Sequence, residues 1–447
     1  MNQEKMTAQS ILGATIGGVI EWYDFACYGY FAVTIGNLFF PSSDPTISLL
    51  LSFLTFGMSF FMRPVGGIIF GSLGDRIGRK PVFAMTVLFM TAFTFLIGVL
   101  PTYSQVGILA PILLILLRLL QAVSAGGELT GAFTYALEHS KPTRRGLNGA
   151  FVEAGGSMAY FLGTIVALIV NAVVPADQMD TYGWRIPFWF AGVLGIVGII
   201  IRMRLHESPV FEKMKSKGEL KHSPIKEAFK SHKWAMVFVF GLACFQNVGV
   251  YMENTYFANY LSTVAGFSSS ISLISTALAI VTTICVMPFF GILSDRIGRV
   301  KVLTLSTVLG LVAAYPIFLG LSSKIVALAI ISHMFFGIIV GIFIGTVPAT
   351  MPELFPANVR YGGMSVPYNI SVSIFGGLAP TFSTLFIKYT GNPLSPAYYI
   401  MIGAVITGLT LFGIAMKDGL VTSHKKELAP KSMLFKKGAN QTTSGNS

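Results

Sequence analysis

The sequence predicts an all-α integral membrane protein, with twelve transmembrane helices arranged as two six-helix repeats. The first observation behind this prediction is composition: of 447 residues, 53% are hydrophobic and 11% are charged, and the mean hydropathy is +0.70. A soluble domain carries roughly a quarter charged residues, so this chain lacks the polar surface it would need in water. The other two observations are the number of long apolar runs and a basic turn that occurs twice. The short alternating strands of a membrane barrel are not apparent.

The apolar runs form two groups of six, and most are long enough to cross a bilayer as helices of about 20 residues. We therefore predict an N-terminal bundle over 1–204, a central loop over 205–233, a C-terminal bundle over 234–416 and a disordered polar tail over 417–447. The runs lie near 11–40, 48–73, 82–103, 106–137, 148–173, 184–204, 234–264, 270–293, 301–321, 325–350, 361–389 and 397–416.

A basic turn between two apolar runs occurs once in each half. The string Gly71-Ser-Leu-Gly-Asp-Arg-Ile-Gly-Arg-Lys80 returns 220 positions later as Gly291-Ile-Leu-Ser-Asp-Arg-Ile-Gly-Arg299. One copy alone would be explained as a helix cap with solvated charges, but two copies at matched places indicate duplicated bundles, as in many secondary transporters. A carboxylate facing another helix N-terminus can hold one conformer closed, so we assign these turns to gating. The residues concerned are Gly71, Asp75, Arg76, Gly78, Arg79, Asp295, Arg296, Gly298 and Arg299.

The charges of the connecting segments predict the orientation in the membrane. Basic residues cluster at one set of connections, including Lys141, Arg144 and Arg145, whereas Asp44 and Asp177 lie at the other set. Short basic loops stay in the cytoplasm, so both termini and the central loop are predicted to be cytoplasmic. This distribution also explains the net charge of +12 without a nucleic-acid partner. The three cysteines have neither zinc-site nor disulfide spacing, and we predict no metal or organic cofactor.

Besides the repeated turn, five further strings stand out. They are Glu21-Trp-Tyr-Asp-Phe25, Arg118-Leu-Leu-Gln-Ala-Val-Ser-Ala-Gly-Gly-Glu128, Gly183-Trp-Arg-Ile-Pro-Phe188, Glu207-Ser-Pro-Val-Phe211 and Pro352-Glu-Leu-Phe-Pro356. The repeated turn is similar to the best-known motif of the major facilitator superfamily. The five strings resemble its metabolite:proton symporter family, whose members carry proline and glycine betaine, citrate, α-ketoglutarate or shikimate. Ala122 and Leu129 depart from that family's usual residues, and the absence of a long coiled-coil tail weakens an osmosensor interpretation.

Ionisable residues inside the apolar runs are candidates for the transport site, because each costs at least about 2.5–3.5 kcal/mol at membrane depth. Glu21 and Asp24 lie one helical turn apart in the first run and share a face. A carboxylate in such a cavity can bind a proton in one conformation and lose it in another. We predict Asp24 as the proton site, while Glu21 is equally compatible with a fixed structural hydrogen bond.

In the fourth run, Arg118, Gln121 and Glu128 fall on one stripe of the helix. The guanidinium of Arg118 fits a carboxylate with two hydrogen bonds. We predict that it binds a substrate carboxylate or pairs with Asp24; the alternative is a permanent salt bridge between the two helices. Glu128 lies in a glycine-rich stretch where a structural role is as plausible.

Weaker candidates come from other runs. Glu253 in the seventh run is predicted to line the outer half of the cavity, and Tyr28 to pack around a ligand. Glu153 is expected near the cytoplasmic end and in contact with water, and His333 to titrate or simply to be hydrogen-bonded. Further aromatic candidates, equally compatible with packing, are Phe25, Tyr23, Tyr251, Tyr256 and Tyr368.

Together these features predict a proton-coupled symporter of a small carboxylate-bearing metabolite, working by alternating access as a monomer in a bacterial inner membrane, with protons as the coupling ion. The alternatives are a proton-independent exchanger or facilitator, and a transporter-like osmosensor or receptor. Enzyme motifs such as HExxH or a nucleophile elbow are absent from the sequence.

Overall fold

A computed structural model describes residues 15, 18–19, 22–77, 79–126, 128–138, 140–203, 224–356 and 359–427. These residues form twelve helical rods, and the described part of the chain contains no strand. Ten helices are long and apolar enough to cross a bilayer by length and composition, and Met85–Ile97 is a shorter apolar helix. The predicted all-α membrane architecture is therefore confirmed.

The N-terminal set of rods is numbered α1 to α6. Three rods have interruptions: α1 has a turn at Phe31, α2 contains a 3-10 turn over Phe60–Met62, and α4 breaks near Gly126. The rods are α1 (22–30 and Ala32–Phe39), α2 (Pro45–Ser59 and Arg63–Ile77), α3 (Arg79–Ile97), α4 (Leu109–Ala125 and Glu128–Glu138), α5 (Arg145–Val173) and α6 (Ile186–Met203).

The C-terminal set is numbered α7 to α12. Two of its rods contain a π-helical segment, Met252–Tyr256 in α7 and Val372–Gly377 in α11. The rods are α7 (Lys233–Tyr251 and Phe257–Thr263), α8 (Ser269–Ile297), α9 (Arg299–Leu321), α10 (Val326–Ile344 and Val347–Glu353), α11 (Arg360–Ser371 and Ala379–Thr390) and α12 (Ala397–Glu427).

The rod α12 extends further than the sequence predicts. The polar tail was expected to be disordered from residue 417, whereas the helix continues to Glu427. Lys and Glu are good helix formers, so a polar segment that follows an apolar helix can prolong it beyond the bilayer. The rest of the predicted tail, 428–447, and most of the central loop, 204–223, lie outside the described residues. Within that loop a short helix covers Pro224–Ser231.

Turns at the two ends of the bundle set the boundaries of the rods. Gly298, with φ of 100°, separates α8 from α9, a backbone conformation that other residues adopt only under strain. Asp44 accepts a hydrogen bond from Thr46 N at 2.9 Å and caps α2 just before Pro45. We call the end with Gly298 the motif end and the end with Asp44 the Asp44 end.

Close backbone approaches join the two halves. At the motif end, a Cβ on Gly146 of α5 would lie 2.4 Å from the carbonyl oxygen of Gly291 of α8. Towards the opposite end, a Cβ on Gly57 of α2 would lie 2.6 Å from the carbonyl oxygen of Gly377 of α11. Glycine is needed at such crossings because any larger side chain would push the helices apart. The halves therefore meet through α5 with α8 and through α2 with α11.

Candidate functional site

A buried ion pair joins α1 to α4. Arg118 Nη1 lies 3.0 Å from Asp24 Oδ2, and both residues are about 1% exposed. The same nitrogen donates to Gln121 Oε1 at 2.5 Å, and Gln121 Nε2 donates to Thr94 Oγ1 of α3 at 2.6 Å. The predicted stripe of Arg118 and Gln121 thus faces Asp24 inside the N-terminal bundle. Desolvation makes such a pair sensitive to any change in the charge of either partner.

Aromatic rings enclose the guanidinium of Arg118. Its Cζ lies 4.5 Å from the ring centre of Tyr28, 5.1 Å from that of Phe25 and 5.4 Å from that of Phe56. Such cation–π contacts stabilise a desolvated cation by about 2 kcal/mol. Tyr28 also donates from its hydroxyl to Ser52 O at 3.2 Å, which fixes the ring. Tyr28 therefore contacts the ion pair rather than a cavity, within the described residues.

A second buried arginine, Arg63, also lies against Phe25. Its Cζ is 5.5 Å from the Phe25 ring centre, 5.4 Å from that of Trp22 and 5.3 Å from that of Phe60. Arg63 Nη2 donates to the carbonyl oxygen of Ala125 at 3.4 Å. Two buried guanidinium groups thus contact the same aromatic ring. Arg63 did not feature among the sequence candidates, although its position inside the second apolar run marks it as an intramembrane charge.

A small cavity of about 20 Å³, lined by polar and aromatic side chains, lies where the two halves meet. A water needs about 10–15 Å³, so the cavity has room for one or two waters. A smaller space beside Arg63 is also lined by Tyr368. The cavity residues are Trp22, Glu153, Gly156, Ser157 and Tyr160 from the N-terminal half and Gln246, Asn247, Val250 and Tyr368 from the C-terminal half.

Polar atoms face this cavity from both halves. Gln246 Nε2 donates to Glu153 Oε1 at 3.3 Å across the interface. Glu153 Oε2 and Gln246 Oε1 have no hydrogen-bond partner among the described residues. Buried polar atoms normally form hydrogen bonds with protein, water or ligand. These two oxygens therefore indicate where a water or a polar ligand can bind.

The position of Glu153 differs from the expectation. It was predicted near the cytoplasmic end in contact with water, yet it is 9% exposed and lines the cavity between the halves. The reason is the length of α5, which begins at Arg145 and places Glu153 more than two turns inside the bundle. Arg118 pairs with Asp24, which is one of its two predicted roles, and it does not line this cavity; binding of a substrate carboxylate by Arg118 stays a prediction.

Glu253 lies in the π-helical segment of α7 and is fully buried within the C-terminal half. Its Oε1 is 2.5 Å from Thr283 Oγ1 of α8, and its carbonyl oxygen is 3.1 Å from His333 Nε2 of α10. It does not line the cavity described above, and its predicted place in the outer half of a transport cavity stays a prediction. Insertion of one extra residue per turn in a π-helix re-aims side chains, and such segments are frequent at functional sites.

Two groups of contacts close the motif end. Asp295 accepts hydrogen bonds from Gly146 N at 3.0 Å and Leu147 N at 3.3 Å, at the first turn of α5. Arg299 Nη1 lies 2.8 Å from Asp295 Oδ1, and Arg299 Nε lies 3.3 Å from Glu353 Oε2. The carboxylate of the C-terminal turn thus caps a helix of the N-terminal half, where the helix dipole favours negative charge. Arg296 in the same turn is exposed.

Several of the predicted site residues lie wholly or partly outside the described part of the chain. Glu21 and Gly78 lie outside the described residues. The structure describes the helical backbone around Gly71, Asp75, Arg76, Arg79 and Glu128, while their side chains lie outside the described part. The gating role of the first turn and the site role of Glu21 and Glu128 stay predictions.

At the Asp44 end, the halves meet through exposed and buried contacts. Lys388 Nζ of α11 lies 3.2 Å from Asp44 Oδ2. Hydrogen bonds from the Thr46 backbone N–H and then from Lys388 hold the pKa of the Asp44 carboxyl below its ordinary value of 3.8. Deeper in the bundle, Asn259 Nδ2 of α7 donates to Gly29 O of α1 at 2.9 Å. With both ends in contact, the cavity is closed on two sides.

Two helical bundles that meet around a cavity, with ionisable side chains buried inside apolar helices, are the arrangement of a secondary transporter. A family model described as Major Facilitator Superfamily matches residues 14–366 and, in a second match, 254–439. The chain belongs to the Major Facilitator Superfamily, and the resemblance stated from its motifs is confirmed.

Relatives and solved structures agree with this assignment. The chain is 35% identical over 419 residues to a proline/betaine transporter of Salmonella typhimurium, covering 92% of this chain and 83% of the relative. It is 35% identical, with the same coverage, to a glycine betaine/proline/ectoine/pipecolic acid transporter of Dickeya dadantii. The structure of a proton:xylose symporter, XylE, superposes with a TM-score of 0.73 at 15% identity, over 92% of this chain and 95% of that one. The last comparison concerns the fold alone.

Proposed function

We propose that the protein is a proton-coupled symporter of a small carboxylate-bearing metabolite, most closely a zwitterion such as proline or a betaine, and that it works by alternating access. The single observation that carries the proton coupling is the buried Asp24–Arg118 pair, at 3.0 Å. The names of the curated relatives support the zwitterionic substrate class. The contacts between the two bundles at both ends, with a cavity between them, support alternating access, since a closed state separates the two open ones.

Asp24 is the proposed proton site. When Asp24 is ionised, its charge is compensated by Arg118, and the pair can be carried through a closed state. A proton on Asp24 removes that compensation and leaves Arg118 as a buried cation. A substrate carboxylate nearby restores the balance, so proton and substrate are favoured together. A half-loaded site would hold an uncompensated charge, and this penalty is the proposed source of coupling.

The substrate is proposed to bind in the cavity beside Trp22, Glu153 and Tyr368. Its carboxylate would lie towards Arg63, which adjoins the neighbouring space, and its cationic nitrogen would lie towards the Glu153 carboxyl. The faces of Trp22 and Tyr160 suit a cation, because aromatic rings attract quaternary and other ammonium groups. The closed cavity admits only one or two waters, so substrate entry requires the halves to separate.

Phe25 is the proposed link between proton and substrate. Its ring contacts the guanidinium groups of both Arg118 and Arg63, at 5.1 and 5.5 Å. Two cations in contact with one ring repel each other in a low-dielectric interior. Neutralising Asp24 therefore raises the positive potential at Arg63, which favours an arriving carboxylate.

Uptake into vesicles with an imposed pH gradient tests this function. Labelled proline and glycine betaine are offered to wild type, to Asp24→Asn and to the control Asp177→Asn, whose carboxyl is exposed at the Asp44 end. We expect gradient-driven accumulation in wild type and control, and a fall to simple equilibration in Asp24→Asn. Accumulation that survives Asp24→Asn would remove Asp24 from the role. Uptake that ignores a protonophore would favour the exchanger or facilitator.

Membrane placement is part of the same proposal. We infer a bacterial inner membrane with both termini and the motif end in the cytoplasm, a small molecule and the lipid bilayer as partners, and function as a monomer. The basic residues at the motif end, such as Arg144 and Lys301, support this orientation. A cysteine introduced at Lys301 should react with an impermeant reagent only after permeabilisation, and one introduced at Asp177 should react in intact cells.

A further inference from the structure

The buried polar cluster around Glu253 has no part in the mechanism above. Glu253 is 0% exposed, and no ion pair to it occurs among the described residues. Its Oε2 has no hydrogen-bond partner in the described part of the chain. A bare carboxylate in such surroundings would carry the full cost of burying an uncompensated charge. The negative charge of Glu253 must therefore be either compensated by a neighbour or removed by a proton.

Hydrogen-bond accounting favours a proton on Glu253. Thr283 Oγ1 lies 2.9 Å from the carbonyl oxygen of Gly337 and 2.5 Å from Glu253 Oε1. A hydroxyl has one hydrogen, and a carbonyl oxygen can only accept. If Thr283 donates to Gly337, the short contact with Glu253 needs a hydrogen from the Glu253 carboxyl. The opposite assignment leaves two oxygens 2.9 Å apart without a hydrogen between them and leaves a buried anion.

His333 does not supply the missing charge. Its Nε2 lies 3.1 Å from the main-chain oxygen of Glu253, so this nitrogen must carry a hydrogen and donate it. Its Nδ1 lies 3.0 Å from Ser275 Oγ, which can donate in return. The network is satisfied by a neutral imidazole, and neither ring nitrogen is bonded to the Glu253 carboxyl.

Other groups around the cluster are neutral. From α8 it receives the hydroxyls of Ser275 and Thr283, and from α10 the His333 ring. From α11, Ser383 Oγ lies 3.3 Å from Met252 Sδ beside Glu253. The Tyr30 hydroxyl of α1 is uncharged and bonds to Tyr160 O and Thr164 Oγ1. No cationic side chain among these neighbours stabilises an ionised Glu253.

The same segment of α7 closes the Asp44 side of the cavity. Two residues after Glu253, Thr255 packs so closely on α1 that a Cβ on Gly29 would lie 2.6 Å from its Cγ2. One turn further, Asn259 Nδ2 donates to Gly29 O at 2.9 Å. Loss of the Glu253 proton would create a buried anion with no cationic neighbour among the described residues. Solvating that charge requires water, and admitting water requires this segment to move.

We propose that Glu253 is a second proton-binding site, occupied in this closed conformation and located in the opposite half from Asp24. Its proton keeps the π-helical segment packed against α8, α10 and α1. Release of the proton accompanies separation of α1 from α7 at the Asp44 end. The role in transport rests on the proposed symport, whereas the protonation itself does not.

Infrared difference spectroscopy of the full-length protein in lipid tests the protonation directly. Subtracting Glu253→Gln from wild type at neutral pH should leave the carbonyl stretch of one protonated carboxylic acid. The matched variant Asp24→Asn should instead remove a carboxylate band, because Asp24 is ion-paired. Loss of a carboxylate band in Glu253→Gln would overturn the proposal, whatever the result for Asp24.

A second variant keeps the test valid if Glu253→Gln does not fold. Thr283→Val removes the acceptor of the Glu253 hydrogen bond, so the acid band should remain and move to higher frequency. An unmoved band would overturn the assignment. The spectra are repeated with sodium in place of potassium, and conversion of the acid band to a carboxylate band by sodium would replace the proton site with a cation site.

The transport role has its own readout. In proteoliposomes, Glu253→Gln should move one proton fewer per substrate than wild type, measured from proton flux and labelled uptake together. An unchanged ratio would overturn the coupling role and leave Glu253 a fixed structural acid. If wild type itself moves no protons, the proposed symport fails while the infrared result still decides the protonation.

Discussion

The two halves of the transporter bury carboxyl groups in opposite ways. In the N-terminal half, Asp24 is compensated by Arg118 at 3.0 Å and surrounded by aromatic rings. In the C-terminal half, Glu253 is met by a hydroxyl of Thr283 and no cation among the described residues. One carboxyl is held as an anion by a partner, and the other is held neutral by a proton. Related helices of a duplicated fold can therefore use the same chemical group in two charge states.

The largest expected effect is on protein stability, which should fall more in Asp24→Asn than in Glu253→Gln. Replacing Asp24 with Asn leaves Arg118 as an uncompensated buried cation, and breaking a buried pair costs about 3–5 kcal/mol. Replacing Glu253 with Gln exchanges one neutral hydrogen-bonding group for another and should cost about 1 kcal/mol or less. The measurement is the free energy of unfolding in detergent or bicelles at neutral pH. Equal losses in both variants would contradict the assigned charge states.

When protons are saturating, substitution of Arg63 should weaken substrate binding more than substitution of either Asp24 or Glu253 does. Arg63→Gln removes a charge-assisted hydrogen bond to the substrate carboxylate, which is worth about 1.5–3 kcal/mol. The Kd for proline or betaine should rise about 10- to 100-fold. Isothermal titration of purified protein measures this. Lys301→Gln, an exposed residue at the motif end, is the control and should bind as wild type does; unchanged binding in Arg63→Gln would place the carboxylate elsewhere.

The motif end should open when its helix cap is removed. Asp295→Ala loses the hydrogen bonds to Gly146 N and Leu147 N, and a lost cap costs about 1 kcal/mol. That energy changes a conformational ratio about fivefold. Spin labels on cysteines introduced at Lys141 and Lys301 would report a larger fraction of long distances. Arg144→Ala, at an exposed residue of the same end, should leave the distribution unchanged.

The smallest effect is expected at the Asp44 end. The lowered pKa of Asp44 means that its contacts stabilise the folded state above about pH 3.8, and this contribution disappears as the pH falls through the lowered pKa. Wild type should therefore melt slightly above Asp44→Asn at neutral pH, and the two melting curves should converge in acid. A difference that persists at the lowest pH would rule out titration of Asp44 as its origin.

Prediction from the sequence succeeded where periodicity and charge decide the structure. The long apolar runs and the repeated turn predicted the helical architecture. The three-residue spacing of Arg118 and Gln121 predicted that their side chains lie on the same side of the helix. The side chains of Glu153 and Arg63 were misjudged or missed for a different reason. Depth within a bundle depends on where a rod starts and how it tilts, and the start of α5 at Arg145 is set by a turn that packs against α8.

The amino-acid sequence by itself determined a membrane protein of two related bundles, because burial of apolar helices in lipid depends on composition and length alone. Tertiary structure decided which carboxyl meets a cation and which meets a hydroxyl. Asp24 and Glu253 are both acidic residues in apolar runs, and nothing in their immediate neighbours along the chain distinguishes them. Their charge states follow from side chains 94 and 30 positions away, which only the packing of α4 on α1 and of α8 on α7 brings within hydrogen-bonding distance.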